Sequence, residues 1–215
     1  MSPHPMARST RGRFIVFEGP EGSGKSTHAR LLYEALRAQG LSCTLTREPG
    51  GTKVAEMVRR IILSPAMHMS GLTELLLYEA ARAQHVAEII RPALDRGEVV
   101  ICDRFTDASL VYQGCGRGID RRTIRQLNAI ATGGLCPDFT IILDADSAVG
   151  LARVIRRRRN ADRMERESLE FHRAVRQGYR TLARRANTVM INTERTSVQR
   201  THEWILRMVR QRTGL

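Results

Sequence analysis

Aromatic residues make up only 5% of this 215-residue chain, with a single tryptophan. That scarcity argues against a stacking platform for single-stranded nucleic acid, which needs a row of rings for the bases. The four cysteines, Cys43, Cys102, Cys115 and Cys136, show no C-x-x-C spacing, so they read as reduced thiols of a cytoplasmic protein rather than as a disulfide framework. Six histidines show no paired metal spacing, so a protein-held zinc has no support and any metal should arrive with a nucleotide. No apolar stretch approaches the roughly 20 residues that cross a bilayer, and the polar, basic start lacks the apolar core of a secretory signal. Acidic residues are outnumbered 22 to 35, leaving a net charge of +13. Such an excess suits a nucleic-acid binder, but the arginines are spread over several helical stretches. A solvated basic surface, with a few arginines reserved for phosphates and no nucleic-acid partner, is the preferred reading.

What the chain does have is a glycine-rich loop in the right context. Gly19-Pro20-Glu21-Gly22-Ser23-Gly24-Lys25-Ser26 fits G-x-x-x-x-G-K-[ST] and follows the strand-like Arg13 to Glu18. A helical pattern through Ala29, Leu32 and Leu36 comes next. Glycines let the backbone wrap its N–H groups around a triphosphate at a helix start, where anionic oxygens are favoured. Gly19 to Thr27 therefore form the ATP-binding segment. Lys25 reaches the β and γ phosphates, and Ser26 offers a hydroxyl to Mg²⁺, a hard ion that prefers oxygen.

A run at 41–46, entered through Gly40 and left through Pro49-Gly50-Gly51, and short apolar runs at 99–102, 139–143 and 188–191 give four more strands, separated by helical patterns. One long helix is expected across Leu75 to Ile89, others from near Asp120 to Gly133, over 148–158 and 168–185, and a last one through Trp204. Strands apolar on both faces alternating with helices predict an α/β fold: a five-stranded parallel sheet flanked by helices. The expected organisation is a flexible N-terminal tail over 1–12 and a single P-loop domain over 13–215, with a lid around 153–164. Ligands on such sheets sit beyond the carboxyl ends of the strands, which gathers the phosphate loop, Arg47, Asp103 and Arg104 on one rim.

Three groups on that rim would define a second substrate. Arg47 stands in Thr46-Arg47-Glu48-Pro49-Gly50-Gly51-Thr52, a strand end and turn suited to an anion. Tyr78 and Arg82 lie four apart and share a helix face, a ring to stack on a base beside a guanidinium to bond its edge. Asp103-Arg104-Phe105 is followed by Ser109, Tyr112 and Gln113. Each has a plainer alternative: Tyr78 in the core, Arg82 on the surface, Asp103 with Arg104 as a structural ion pair.

These motifs, with L-L-Y-E-A-A-R-A-Q-H, D-R-F-x-x-x-S-x-x-Y-Q-G and D-R-M-E-x-E in matching order, resemble the bacterial thymidylate kinases from about Phe14 to Ile191. The resemblance implies a P-loop fold of the nucleoside monophosphate kinase kind, transfer of the γ-phosphoryl of ATP to dTMP for dTTP synthesis, and a homodimer. It implies that Glu21 lies near the deoxyribose 3'-hydroxyl and that Arg47 and Arg104 hold the dTMP phosphate. Tyr78 would stack on thymine, Arg82 would bond the base, Ser109 and Gln113 would lie beside base and sugar, and Tyr112 would crowd the 2' position. Asp103 would orient Arg104 or bind the metal, directly or through water.

Some relatives carry an arginine where this chain has Gly22; others supply that charge from a lid, and this chain resembles the second kind. Arg153, Arg158 and Arg163 are the lid candidates, with Arg158 and Arg163 preferred beside Lys25 and Arg104 as catalytic residues, because a loose phosphoryl transition state gains most from positive charge. Arg159, Ala161 and Ala108 depart from the family's usual glycine, leucine and polar residue. The competing readings are a kinase of another monophosphate, an ATP-gated nucleic-acid binder, and a relative that binds nucleotide without turnover.

Overall fold

The computed structural model describes residues 11–157 and 161–215. The expected tail thus lies outside the described residues up to position 10, while Gly12 is already anchored, its N–H donating to Leu94 O at 2.9 Å.

The five apolar runs form β1 (Arg13–Glu18), β2 (Cys43–Arg47), β3 (Val99–Asp103), β4 (Phe139–Asp144) and β5 (Thr188–Asn192). They make one sheet in the order β2-β3-β1-β4-β5, parallel at every pairing. Alternation along β1 sends Ile15 and Phe17 to one face and Phe14 and Val16 to the other. The first pair packs beneath Leu32 and Leu36 of α1 (Lys25–Ala38) and Ile205 and Val209 of α9 (Val198–Thr213). On the opposite face Phe14 meets Phe105 edge to face at 4.9 Å between ring centres, and Ile142 joins a cluster with Leu75, Ile124, Val175 and Tyr179. Both faces are covered at the centre of the sheet, which is why β1, β3 and β4 read as unbroken apolar runs, whereas the edge strand β2 carries Thr44 and Thr46.

Register sets the rim. Phe17 and Arg47 both pair with Asp103, so β1, β2 and β3 end level, and Glu18, Glu48 and Arg104 leave the sheet side by side. The order reverses direction at β1, where β3 lies on one side and β4 on the other, the position at which such sheets bind ligands.

Two helical regions differ from expectation. The long helix is α3 (Gly71–His85), a π-helical turn at Val86–Ile90 and α4 (Arg91–Asp95). Pro92 has no N–H to continue the ladder, and a widened turn before it absorbs the missing bond. Between β2 and α3 stands α2 (Lys53–Leu63), whose N-cap Thr52 accepts from Ala55 N at 3.1 Å. After β3 come a short α5 (Thr106–Ser109), a π-helical segment at Leu110–Gly116 and α6 (Arg121–Thr132), capped by Asp120 and closed by Gly133 with φ 55°. The remaining helices are α7 (Ser147–Arg157) and α8 (Leu169–Leu182). Among the described residues no helix is long and apolar enough to cross a membrane.

Candidate active site

The phosphate loop turns from β1 into α1 through glycines whose conformations other residues resist. Gly24, the N-cap of α1, has φ 95°, and Gly22 has φ 67°. Gly22 is also in close backbone approach: a Cβ there would lie 2.1 Å from Gly150 O of α7. A side chain at this position therefore has no room. Instead Arg153 of α7 donates from Nη1 to Gly22 O at 3.3 Å, bringing a helix-borne guanidinium to the same loop.

Lys25 is buried at the start of α1 and donates from Nζ to Pro20 O at 2.8 Å. Burial, reinforced by the charge of Arg104, lowers its pKa to about 8, so it stays charged at neutral pH. Ser26 Oγ donates to the Asp103 carboxylate at the rim of the cavity. Two hard oxygen donors side by side suit Mg²⁺ delivered on a nucleotide. Among the described residues no group of three or more His, Cys, Asp or Glu could hold a metal unaided.

Arg104 leaves β3 with φ 75°, and its N–H donates to Phe17 O at 2.8 Å. Its Nη2 donates to Glu21 Oε1 at 2.7 Å and to Tyr112 OH at 2.9 Å. Burial works against the Glu21 charge, but Arg104, Lys25 and the hydroxyl of Tyr112, which donates at 3.0 Å, hold its pKa at about 2. The loop glutamate and the strand-end arginine are therefore locked together across the cavity.

That cavity, of ≈ 310 Å³, is lined by Lys25, Ser26 and Thr27 at one end and by Arg47, Tyr78, Arg104, Ser109, Tyr112 and Gln113 along its wall. Glu21, Gly22, Gly24 and Asp103 also face it. Gln113, which lines the cavity, donates from its amide nitrogen to Glu74 at 2.8 Å, and its amide oxygen can only accept. Gly19, Pro20 and Ser23 shape the loop from behind.

Arg82 is not where the sequence reading puts it. It is 1% exposed and does not line the cavity. Its donors go to Glu48 (2.7 Å), Glu79 (2.5 Å), Ser109 (3.0 Å), Asn128 (2.7 Å) and Phe105 O (3.1 Å). It stands behind the wall and holds Ser109, a residue of the cavity lining whose hydroxyl accepts from Arg82 and donates to Glu79 at 3.0 Å.

Arg163 likewise departs from its expected place at the phosphates. Its Nε donates to Ile62 O at 2.7 Å and its Nη2 lies 2.7 Å from Glu74 Oε2, in a cluster that Arg117 and Glu167 complete. The positive charge anchors the segment around Arg163 to α2 and α3. Arg158, the other preferred lid arginine, lies outside the described residues.

Sequence reasoning missed Arg59. It lines the cavity beside Arg47 and donates from Nη1 to Pro49 O at 2.8 Å. Burial, and then the charge of Arg47, pushes its pKa down, which marks a two-arginine corner suited to an anion. Its spacing after T-R-E-P-G-G-T on a helix would have exposed it, had α2 been recognised. Met164 from the D-R-M-E-x-E segment also closes over the cavity.

A family model described as thymidylate kinase matches residues 17–205. A thymidylate kinase of Deinococcus radiodurans is 52% identical over 174 residues, covering 81% of this chain and 84% of the relative. One of Symbiobacterium thermophilum is 55% identical over 172 residues, covering 80% and 79% respectively. The crystal structure of thymidylate kinase from Ehrlichia chaffeensis is similar with a TM-score of 0.76 at 34% identity, covering 94% of this chain and 100% of that one. With the phosphate loop, the rim arginines and the base wall on one cavity, these matches lead to one conclusion: the chain belongs to the thymidylate kinase family.

Proposed function

We propose that this chain transfers the γ-phosphoryl group of ATP to dTMP, giving dTDP and ADP, as one P-loop domain over 13–215 with a lid around 153–164. The observation that carries this reading is the single cavity shared by Lys25, Ser26 and Thr27 and by Arg47, Tyr78, Arg104 and Gln113. A phosphate oxygen of dTMP attacks the γ phosphorus as the bond to the β–γ bridging oxygen breaks, and ADP leaves with that electron pair. The attacking oxygen is already anionic, so no covalent enzyme intermediate or general base is required. The protein's task is to hold two anions in line, neutralise their repulsion and exclude water.

Lys25 takes the donor phosphates, Arg104, Arg47 and Arg59 the acceptor phosphate, and Arg153 and Arg158 bring charge from the lid side. Ser26 and Asp103 would hold Mg²⁺, which neutralises phosphate oxygens when bound. Tyr78 offers its ring to thymine, the Gln113 amide oxygen accepts from the ring N–H, and Tyr112 crowds the 2' position. Arg82 acts on the base through Ser109. The four free thiols suit a reducing, cytoplasmic setting. A homodimer is supported by Val54, Met57 and Ile61 of α2 and Leu72 and Leu76 of α3, large apolar side chains left exposed.

Coupled ADP release, assayed with dTMP, dUMP, CMP and AMP, tests the reading. Turnover should depend on dTMP above the others. ADP release that ignores dTMP, or that DNA stimulates, would remove it.

A further inference from the structure

Arg104 reaches beyond the cavity as well as into it. Its Nη1 donates to Gly19 O and to the hydroxyl of Tyr179, each at 3.1 Å. Tyr179 comes from α8, is fully buried and does not line the cavity. A tyrosine hydroxyl has one proton, and this one lies 2.7 Å from Oε2 of Glu18, the last residue of β1, also fully buried. The hydroxyl donates that proton in a hydrogen bond to the Glu18 carboxylate, so only oxygen lone pairs face Arg104.

Glu18 holds the same arginine from a second side. Its Oε1 accepts the backbone N–H of Phe105 at 2.8 Å and of Ala108 at 3.2 Å, just after Arg104 in the chain. Arg104 needs such support, because its φ of 75° is unfavourable for a residue with a Cβ. A carboxylate and a phenol deep in an apolar cluster cost more than a shape-matched apolar pair. Fixing a guanidinium offsets that cost; filling space does not.

We propose that Glu18 and Tyr179 are positioning residues that aim the Arg104 guanidinium at the acceptor's phosphate. The inference rests on the reading of Arg104 as a ligand of the dTMP phosphate. Tyr179 acts through its oxygen on Nη1, and Glu18 acts by setting which way the hydroxyl proton points.

Steady-state kinetics of Tyr179→Phe, Glu18→Gln, the pair together, and Tyr179→Phe in an Arg104→Lys background test this. Assays at pH 8 keep Glu18 ionised, since burial and the nearby Asp107 raise its carboxyl to about 7. Tyr179→Phe should raise the KM for dTMP about tenfold and leave that for ATP within about twofold. The same change should add less than about twofold in the Arg104→Lys background. Glu18→Gln puts an amide donor against the hydroxyl and turns its proton toward Arg104. That variant should be impaired at least as much as Tyr179→Phe, and removing the hydroxyl as well should partly restore it. An unchanged dTMP KM in Tyr179→Phe, a parallel rise in both KM values, or an undiminished effect of Tyr179→Phe in the Arg104→Lys background would overturn the relay. An Arg104→Lys enzyme with normal dTMP KM would overturn the reading of Arg104 itself, and the relay with it.

Discussion

Gly22 and Gly150 meet backbone to backbone: a Cβ on the first would lie 2.1 Å from Gly150 O, and one on the second 2.1 Å from Glu21 O. The phosphate loop is thereby seated on α7, the helix that leads to the proposed lid. Gly150→Ala should push the loop off this seat and raise the KM for ATP at least about tenfold, while the KM for dTMP changes less. Gly22→Arg should cost about 1–2 kcal/mol of stability from its φ of 67° and reduce turnover rather than supply a useful charge. Kinetics and thermal melts of the two variants separate these effects.

Lys25→Ala should lower kcat by at least about a thousandfold, because a buried cation at the transferring phosphoryl group is lost. Its Tm should hold or rise, since burial already disfavours the charge. Retained turnover would sink the assignment of Lys25.

Arg82→Met should destabilise the fold by about 3–5 kcal/mol, because Glu48 and Glu79 would keep their buried charges with no guanidinium between them. Urea unfolding measures this. A loss of dTMP affinity with unchanged stability would instead make Arg82 a direct ligand.

His28 gives the protein an acid-sensitive element. Burial, and the facing His202, lower its pKa from 6.5 to about 4, while Glu34 and Glu203 act on His202. Below pH 6.5 the unfolded chain takes up a proton that the native state refuses, so stability is undiminished above 6.5 and is lost progressively as pH falls to about 4. Glu18, raised to about 7, acts in the opposite sense between 4.5 and 7. The difference between parent and His28→Gln isolates the histidine: the parent's advantage should shrink by about 2 kcal/mol from about pH 7 to about pH 5.

Met57, 64% exposed on α2, is the most open member of the apolar face proposed to pair two copies. Met57→Glu should give a monomer by light scattering and leave the cavity residues in place. A parent that is monomeric at micromolar concentration removes the dimer.

β1, β3 and β4 were legible because each is apolar on both faces, β2 because Gly40 and Pro49-Gly50-Gly51 bound it, and the loop because its spelling follows from what phosphate requires. Arginine roles were harder to read. Arg82 finds Glu48 at a separation of 34 residues, and Arg163 finds Glu74 on α3, so whether each guanidinium faces substrate or carboxylate is decided by topology. Arg59 escaped notice although Val54, Met57, Val58, Ile61 and Ile62 stand at helical spacing, because the stretch after Gly51 reads as a continuing loop and α2 within it is passed over. The apolar rhythm from Leu75 to Ile89 ran unbroken over the π-helical turn at Val86–Ile90, whose cause, Pro92, lies just beyond it.

The central place of β1 bears on how the site can be lost. β3 and β4 both pair with it up to its last residues, so the amides of Val16 and Phe17 cannot exchange with solvent through fraying at an edge. They open only with the sheet as a whole, whereas β2 and β5, at the margins, can open locally. Hydrogen exchange at the root of the phosphate loop therefore reports the global unfolding free energy, and nucleotide binding there protects the entire domain rather than one segment.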